Sequence, residues 1–162
     1  MEQDLVRRRT TSKGVTTDHE TRRRRLVNGS ARRILQQLKS LQRILESEST
    51  DTAGTLGQVL CTLARMSREC GLTTYCSIAL HVLEQLSSAR QTSYLSLSTK
   101  NLLVKWTALS HAYLRTPTDA LVAMALIEHM GNLQWERPVC RTQRDALLQG
   151  LVADAICLAS GC

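Results

Sequence analysis

Leu102-Leu103-Val104-Lys105-Trp106-Thr107-Ala108-Leu109 is the densest apolar stretch of the chain, and it holds one of two tryptophans in a sequence without phenylalanine. Leu102, Leu103, Trp106, Leu109 and Tyr113 recur at helical spacing, which predicts a single buried face. Lys105 and Ser110 are expected on the opposite side. A tryptophan can bury roughly 150–250 Å², so Trp106 is expected at the centre of the core, packing rather than binding a ligand. Leu60, Leu63, Leu103 and Leu109 are expected around it.

The length of 162 residues suits one domain plus a tail, and 43% hydrophobic residues suffice for a core. Aromatic residues are only 3%, so aliphatic side chains must fill that core. Proline occurs only at Pro117 and Pro138, which favours long helices. No apolar run approaches the ~18 residues of a membrane span. Met1-Glu2-Gln3-Asp4 opens the chain without the apolar segment of a secretory signal. Reduced thiols are therefore the expectation for Cys61, Cys70, Cys76, Cys140, Cys157 and Cys162, which include no CxxC pair. Cys70, Cys76 and His81 come nearest to a ligand cluster, but their spacing matches no common zinc module. Cys61 and Cys157 fall among helical apolar positions and should behave as small hydrophobes.

The net charge of +7 is unevenly placed. Residues 1–44 carry 12 Lys and Arg against 4 Asp and Glu, and residues 45–162 carry 9 against 10. The body is thus nearly neutral, and the basicity belongs to an arm and the first helix. Residues 1–27 hold the runs Arg7-Arg8-Arg9 and Arg22-Arg23-Arg24-Arg25 with few apolar side chains. Such a segment cannot offset its ordering entropy and is expected to be a disordered arm, serving nuclear import or polyanion contact.

A first helix is expected from Asn28 or Ser30 to Glu46, with Ile34, Leu35, Leu38, Leu41, Ile44 and Leu45 on one stripe and Arg32, Arg33, Lys39 and Arg43 facing away. The polar segment Ser47–Thr52 reads as a loop, with Asp51 or Thr52 capping a second helix over 53–69. Gly71 should end that helix in a left-handed conformation. A turn at 72–75, a third helix over 75–87 with His81 at the surface, a polar loop at Ser87–Ser93 and the Trp106 helix over 95–114 follow. Beyond Pro117, Thr118 and Asp119 start another helix striped by Leu121, Val122, Ala125, Leu126 and Met130 and ended by Gly131. Trp135 should seal an edge of the body. Thr142-Gln143-Arg144-Asp145 has the form of a capping box opening a last helix with Leu147, Leu148, Leu151, Val152, Ala155, Ile156 and Ala159, which Gly161 ends. These patterns predict an all-α fold. It is a compact bundle of four main helices around Trp106 (28–115), with a C-terminal helical extension (116–162) and a disordered basic arm.

The order of these elements resembles the TFIIS N-terminal, or LW, domain. The resemblance covers about residues 30–114. It runs from the basic helix Ala31–Lys39 through Leu56–Leu63, the short Gly71-Leu72-Thr73-Thr74 segment and Ile78–Leu86 to the Leu102-x-x-x-Trp106 signature. Here the family's turn before the third helix is reduced to Gly71-Leu72-Thr73, and the basic residues after that helix shrink to Arg90. The resemblance implies a nuclear, non-catalytic docking module of transcription elongation or chromatin, binding short disordered peptides in a groove near two inter-helix loops. Those loops map to 47–52 and 87–93, which makes Leu45, Asp51, Leu86, Arg90 and Tyr94 the expected partner contacts.

A helical scaffold in another assembly, with helix pairs stacked as a short solenoid, is the alternative. So is a nucleic-acid-binding protein acting through its arm. Catalysis is not expected, because His19, His81, His111 and His129 have no partner at suggestive spacing and no phosphate loop is present. No metal, cofactor or small-molecule ligand is implied.

Overall fold

The computed structural model describes residues 29, 31–47, 52–92 and 94–160, and among these it is helical without a strand, forming a compact bundle. The arm with its arginine runs, Asp51 and Gly161 lie outside the described residues. Helix α1 covers 31–46, with Ile34, Leu38, Leu41 and Leu45 fully buried. Arg32, Arg33, Lys39 and Arg43 stay exposed on its outer side, as the stripe requires.

Helix α2 (Thr52–Glu69) buries Leu56, Leu60 and Leu63 and stops at Gly71, whose φ is +78°. Gly71 N–H donates to Arg68 O and Leu72 N–H to Ser67 O, the paired bonds of a Schellman stop. The left-handed residue is why glycine is needed there. Leu72 is then buried, and α3 (Thr73–Gln85) starts earlier than its apolar stripe alone suggests. Most of the Ser87–Ser93 segment expected as a loop is helical. Ser87–Thr92 forms a short helix, α4, that packs on α2 and α3 with Ala89 buried, so tertiary contact overrides a weak local preference.

Helix α5 (Leu97–Arg115) is capped by Ser96, whose Oγ accepts from Thr99 N–H at 3.1 Å. Trp106, Tyr113 and Leu103 are fully buried, but Leu109 is only partly so. Ser110, expected to face away, is fully buried. It stands one turn after Trp106 and one before Tyr113, at the middle of the inward face, while Leu109 lies on the flank. Tyr75 of α3 stacks against both large rings of α5. Its centroid is 6.5 Å from Trp106 with planes 11° apart, and 6.1 Å from Tyr113 with planes 20° apart. Burial pushes the ionisation of Tyr75 and Tyr113 upward, so both stay neutral phenols.

Helix α6 (Ala120–Met130) contacts both α5 and α7 (Arg141–Ser160), and α7 also packs on α3. One continuous cluster of buried residues runs from Ile34 to Leu151, so the two C-terminal helices share the core of the first five. On α6 the buried positions are Ala123, Leu126, Ile127, His129 and Met130. Leu121 and Ala125, expected on the inward stripe, are exposed. On α7 the buried positions are Leu151, Asp154 and Ala155, whereas Val152, Ile156 and Ala159 of the expected stripe are exposed.

Gly150 sits inside α7 where α3 crosses it. A Cβ built there would overlap Thr74 Oγ1, with Thr74 Cγ2 at 2.8 Å. Alanine normally gains about 1 kcal/mol over glycine in a helix. Here overpacking should dominate, and Gly150→Ala is expected to destabilise the chain by about 1–3 kcal/mol in urea denaturation. A variant more stable than wild type would show that the helices do not approach this closely.

Candidate functional site

Two of the residues expected to line a groove near the inter-helix loops are buried instead. Leu45 and Leu86 have no exposed surface, because both belong to the core, and so neither can meet a partner in this arrangement. Tyr94 is exposed. Asp51 and the side chain of Arg90 lie outside the described residues.

What the fold builds instead is a set of ties around α7. Asp154, the single charged residue of 146–160, is 3% exposed. Its carboxylate accepts from Tyr75 N–H at 2.8 Å and Thr74 N–H at 3.4 Å. The N-cap position of α3, Leu72, offers no side-chain acceptor. Asp154 thus satisfies the open amides of α3 from a helix about eighty residues away in the chain. Its pKa is raised, because burial outweighs the amide hydrogen bonds that lower it. Tyr113 donates its hydroxyl to Leu151 O at 2.8 Å, joining α5 to α7.

A second set of ties holds the 132–140 loop. Gln85, buried at the end of α3, donates Nε2–H to Arg137 O at 3.0 Å and accepts from Arg137 N–H at 2.9 Å. His81, expected at the surface, is half-buried, with Nε2 2.9 Å from the same carbonyl. Trp135 seals this edge as expected. Its Nε1–H donates to His129 O at 2.9 Å and its ring meets the His129 ring edge-on at 5.6 Å. His129 is itself buried, and Nε2 lies 2.9 Å from Leu102 O. Burial lowers its pKa, so the ring is neutral and donates from Nε2. These groups are occupied in holding backbone, a structural role.

Helix α7 opens one residue before the expected box. Arg141 is its first residue, which makes Cys140 the cap, and Gln143 three positions on accepts from Cys140 N–H at 3.1 Å. The Thr142 hydroxyl, 3.3 Å from the sulfur, and then the backbone N–H of Gln143 hold the exposed Cys140 thiol below its ordinary pKa. Cys61, expected among apolar neighbours, is exposed. Among the described residues no group of three or more His, Cys, Asp and Glu could hold a metal ion, and no helix is long and apolar enough to cross a membrane.

Two concave surfaces flank α7. The first is a cleft of about 430 Å³ between α3 and the start of α7, with Ile78, Met130, Val139 and Leu147 on its apolar side and Ser77 and His81 among its polar groups. The second is a groove of about 290 Å³ along α6 and α7. Ala120 and Ala123 line it from α6, and Val152, Ala155, Ile156 and Ala159 from α7. Val152 is 54% and Ile156 61% exposed, and Met124, one turn after Ala120, is 48% exposed. Neither 120–127 nor the exposed side of 146–160 carries a formal charge. Charge returns only at the ends, with Arg115 and Asp119 at one and the Glu128–Arg144 ion pair, 2.6 Å long, at the other. Because both faces of these helices are apolar, a single stripe per helix does not separate this outer face from the inner one. Comparison of the chain with protein-family models, with curated proteins and with solved structures found no match.

Proposed function

We propose that this chain is a non-catalytic protein–protein docking module, and that its docking surface is the outer face of α6 and α7. One observation carries the reading: Val152, Ile156 and Met124 stand exposed around a groove with no charged residue in its lining. An uncharged apolar centre with charges beyond its ends is the anatomy of an interface core and rim. The docking surface thereby moves from the loops at 47–52 and 87–93 to the C-terminal helices. The process served, nuclear transcription elongation or chromatin, is proposed on the TFIIS-like order of 30–114 and on the arginine runs of the arm. The basic outer side of α1 extends that positive stretch and supports additional, sequence-indifferent contact with nucleic acid.

The test separates docking from folding. Val152→Glu and Ile156→Glu, made in the full chain, should leave the unfolding free energy within about 0.5 kcal/mol of wild type, as surface changes do. They should also abolish capture of transcription or chromatin proteins from nuclei. Unfolding of both variants, or undiminished capture by folded ones, would remove the reading.

A further inference from the structure

We infer that the outer edge of α1, with Arg115 of α5 beside it, holds the phosphate backbone of a duplex nucleic acid. The inference rests on the nucleic-acid contact included in the docking reading and gives that contact a site in the folded body. A trough of about 460 Å³ runs along α1, lined by Arg32, Leu35, Gln36, Lys39, Ser40 and Arg43. Arg32, Lys39 and Arg43 are exposed there, and among the described residues none of the three forms an ion pair. From Arg32 to Arg43 the helix rises about 16 Å, enough to meet several phosphates spaced about 3.4 Å apart along one strand. Helix α5 adds to the same edge. Burial first, then the charges of Arg115 and Lys39, hold His111 below its usual pKa, which places cations of both helices around one ring.

The near-neutral body is therefore neutral only in sum. Helices α1 and α5 carry seven Lys and Arg against one acid, Glu46, whereas residues 52–96 and 116–160 carry six against seven. The arm continues the row, since residues 21–45 hold eight Lys and Arg and no Asp or Glu. Three features select the duplex backbone. A single strand is gripped by stacking its bases on aromatic rings, and residues 21–46 contain none. A membrane surface takes a basic helix by its apolar face, and here Ile34, Leu38, Leu41 and Leu45 are fully buried in the core. An acidic peptide with apolar anchors finds only the half-buried Leu35 in the trough.

The test is fluorescence anisotropy of the full chain with a short mixed-sequence DNA duplex, its separated single strand and a polyglutamate competitor, across a salt series. Lys39→Ala with Arg43→Ala should weaken duplex binding about tenfold or more at about 0.1 M salt and reduce the slope of log affinity against log salt by about 2. Both positions are exposed and alanine suits a helix, so the circular dichroism should not change. Arg137→Ala with Arg141→Ala removes the same charge from exposed positions on the 132–140 loop and α7, and should leave affinity and slope near wild type. A full chain that does not bind the duplex overturns the site. So does an α1 variant with wild-type affinity and slope, which hands the contact to the arm, or an equal loss in the charge-matched variant. Tighter binding of the single strand, or displacement of the duplex by polyglutamate at equal charge, also overturns it. None of these results bears on capture through the α6/α7 face, which Val152→Glu and Ile156→Glu judge separately.

Discussion

Trp106→Ala is expected to lower the unfolding free energy by about 3–5 kcal/mol, the range for removing a large buried aromatic. Against a typical total of about 5–15 kcal/mol, that loss alone could leave much of the chain unfolded. Trp106 is fully buried and its ring faces Tyr75, so the alanine leaves a void bordered by aromatic surface from α3. Trp106 Nε1 has no hydrogen-bond partner among the described residues, and neither do Tyr75 Oη and Ser110 Oγ, although Ser110 adjoins the Tyr75 hydroxyl. The alanine therefore loses packing and no hydrogen bond. Trp106→Phe should accordingly lose much less, because it keeps a ring and removes an unpartnered N–H. Chemical denaturation of both variants checks this. Equal losses, or an alanine variant close to wild type, would contradict the placement of Trp106.

Asp154→Ala should cost about 2–3 kcal/mol, since it leaves the opening amides of α3 without the acceptor that α7 supplies. Asp154→Asn keeps a capping oxygen and drops the buried charge, and is expected within about 1 kcal/mol of wild type. The pH dependence distinguishes the two forms further. The folded pKa of Asp154 is raised above its unfolded value. Its contribution is therefore full below the unfolded pKa and declines as pH rises through the folded one. Wild type should lose stability relative to Asp154→Asn as pH increases above about 4. An asparagine variant as damaged as the alanine would refute the cap, and a difference that grows in favour of wild type with pH would refute the raised pKa.

Local pattern made the helices legible and left the C-terminal contacts hidden. Ile34, Leu38, Leu41 and Leu45 repeat at helical spacing beside charged neighbours, so one face was unambiguous. Gly71 and Pro117 punctuate the chain by their own backbone chemistry. Along 120–127 and 146–160 the signal fails for a physical reason. Both sides of these helices are apolar, so periodicity cannot choose a side: it places Val152 and Ile156 inward and gives no sign that Asp154 is buried. The tie from Asp154 to α3 joins residues about eighty apart, a distance at which sequence spacing carries no information. Leu45 and Leu86 close the core, but a leucine beside a loop has the same sequence signature whether it lines a groove or closes a core.

On the docking reading proposed above, protein covers the α6/α7 face when the chain is at work. A photoreactive side chain placed at Ile156 in the full chain tests it directly, with the same group at Leu133 as the reference. On illumination in cells, position 156 should yield protein adducts and position 133 should yield few. Adducts absent from 156, or equally abundant from 133, would contradict it.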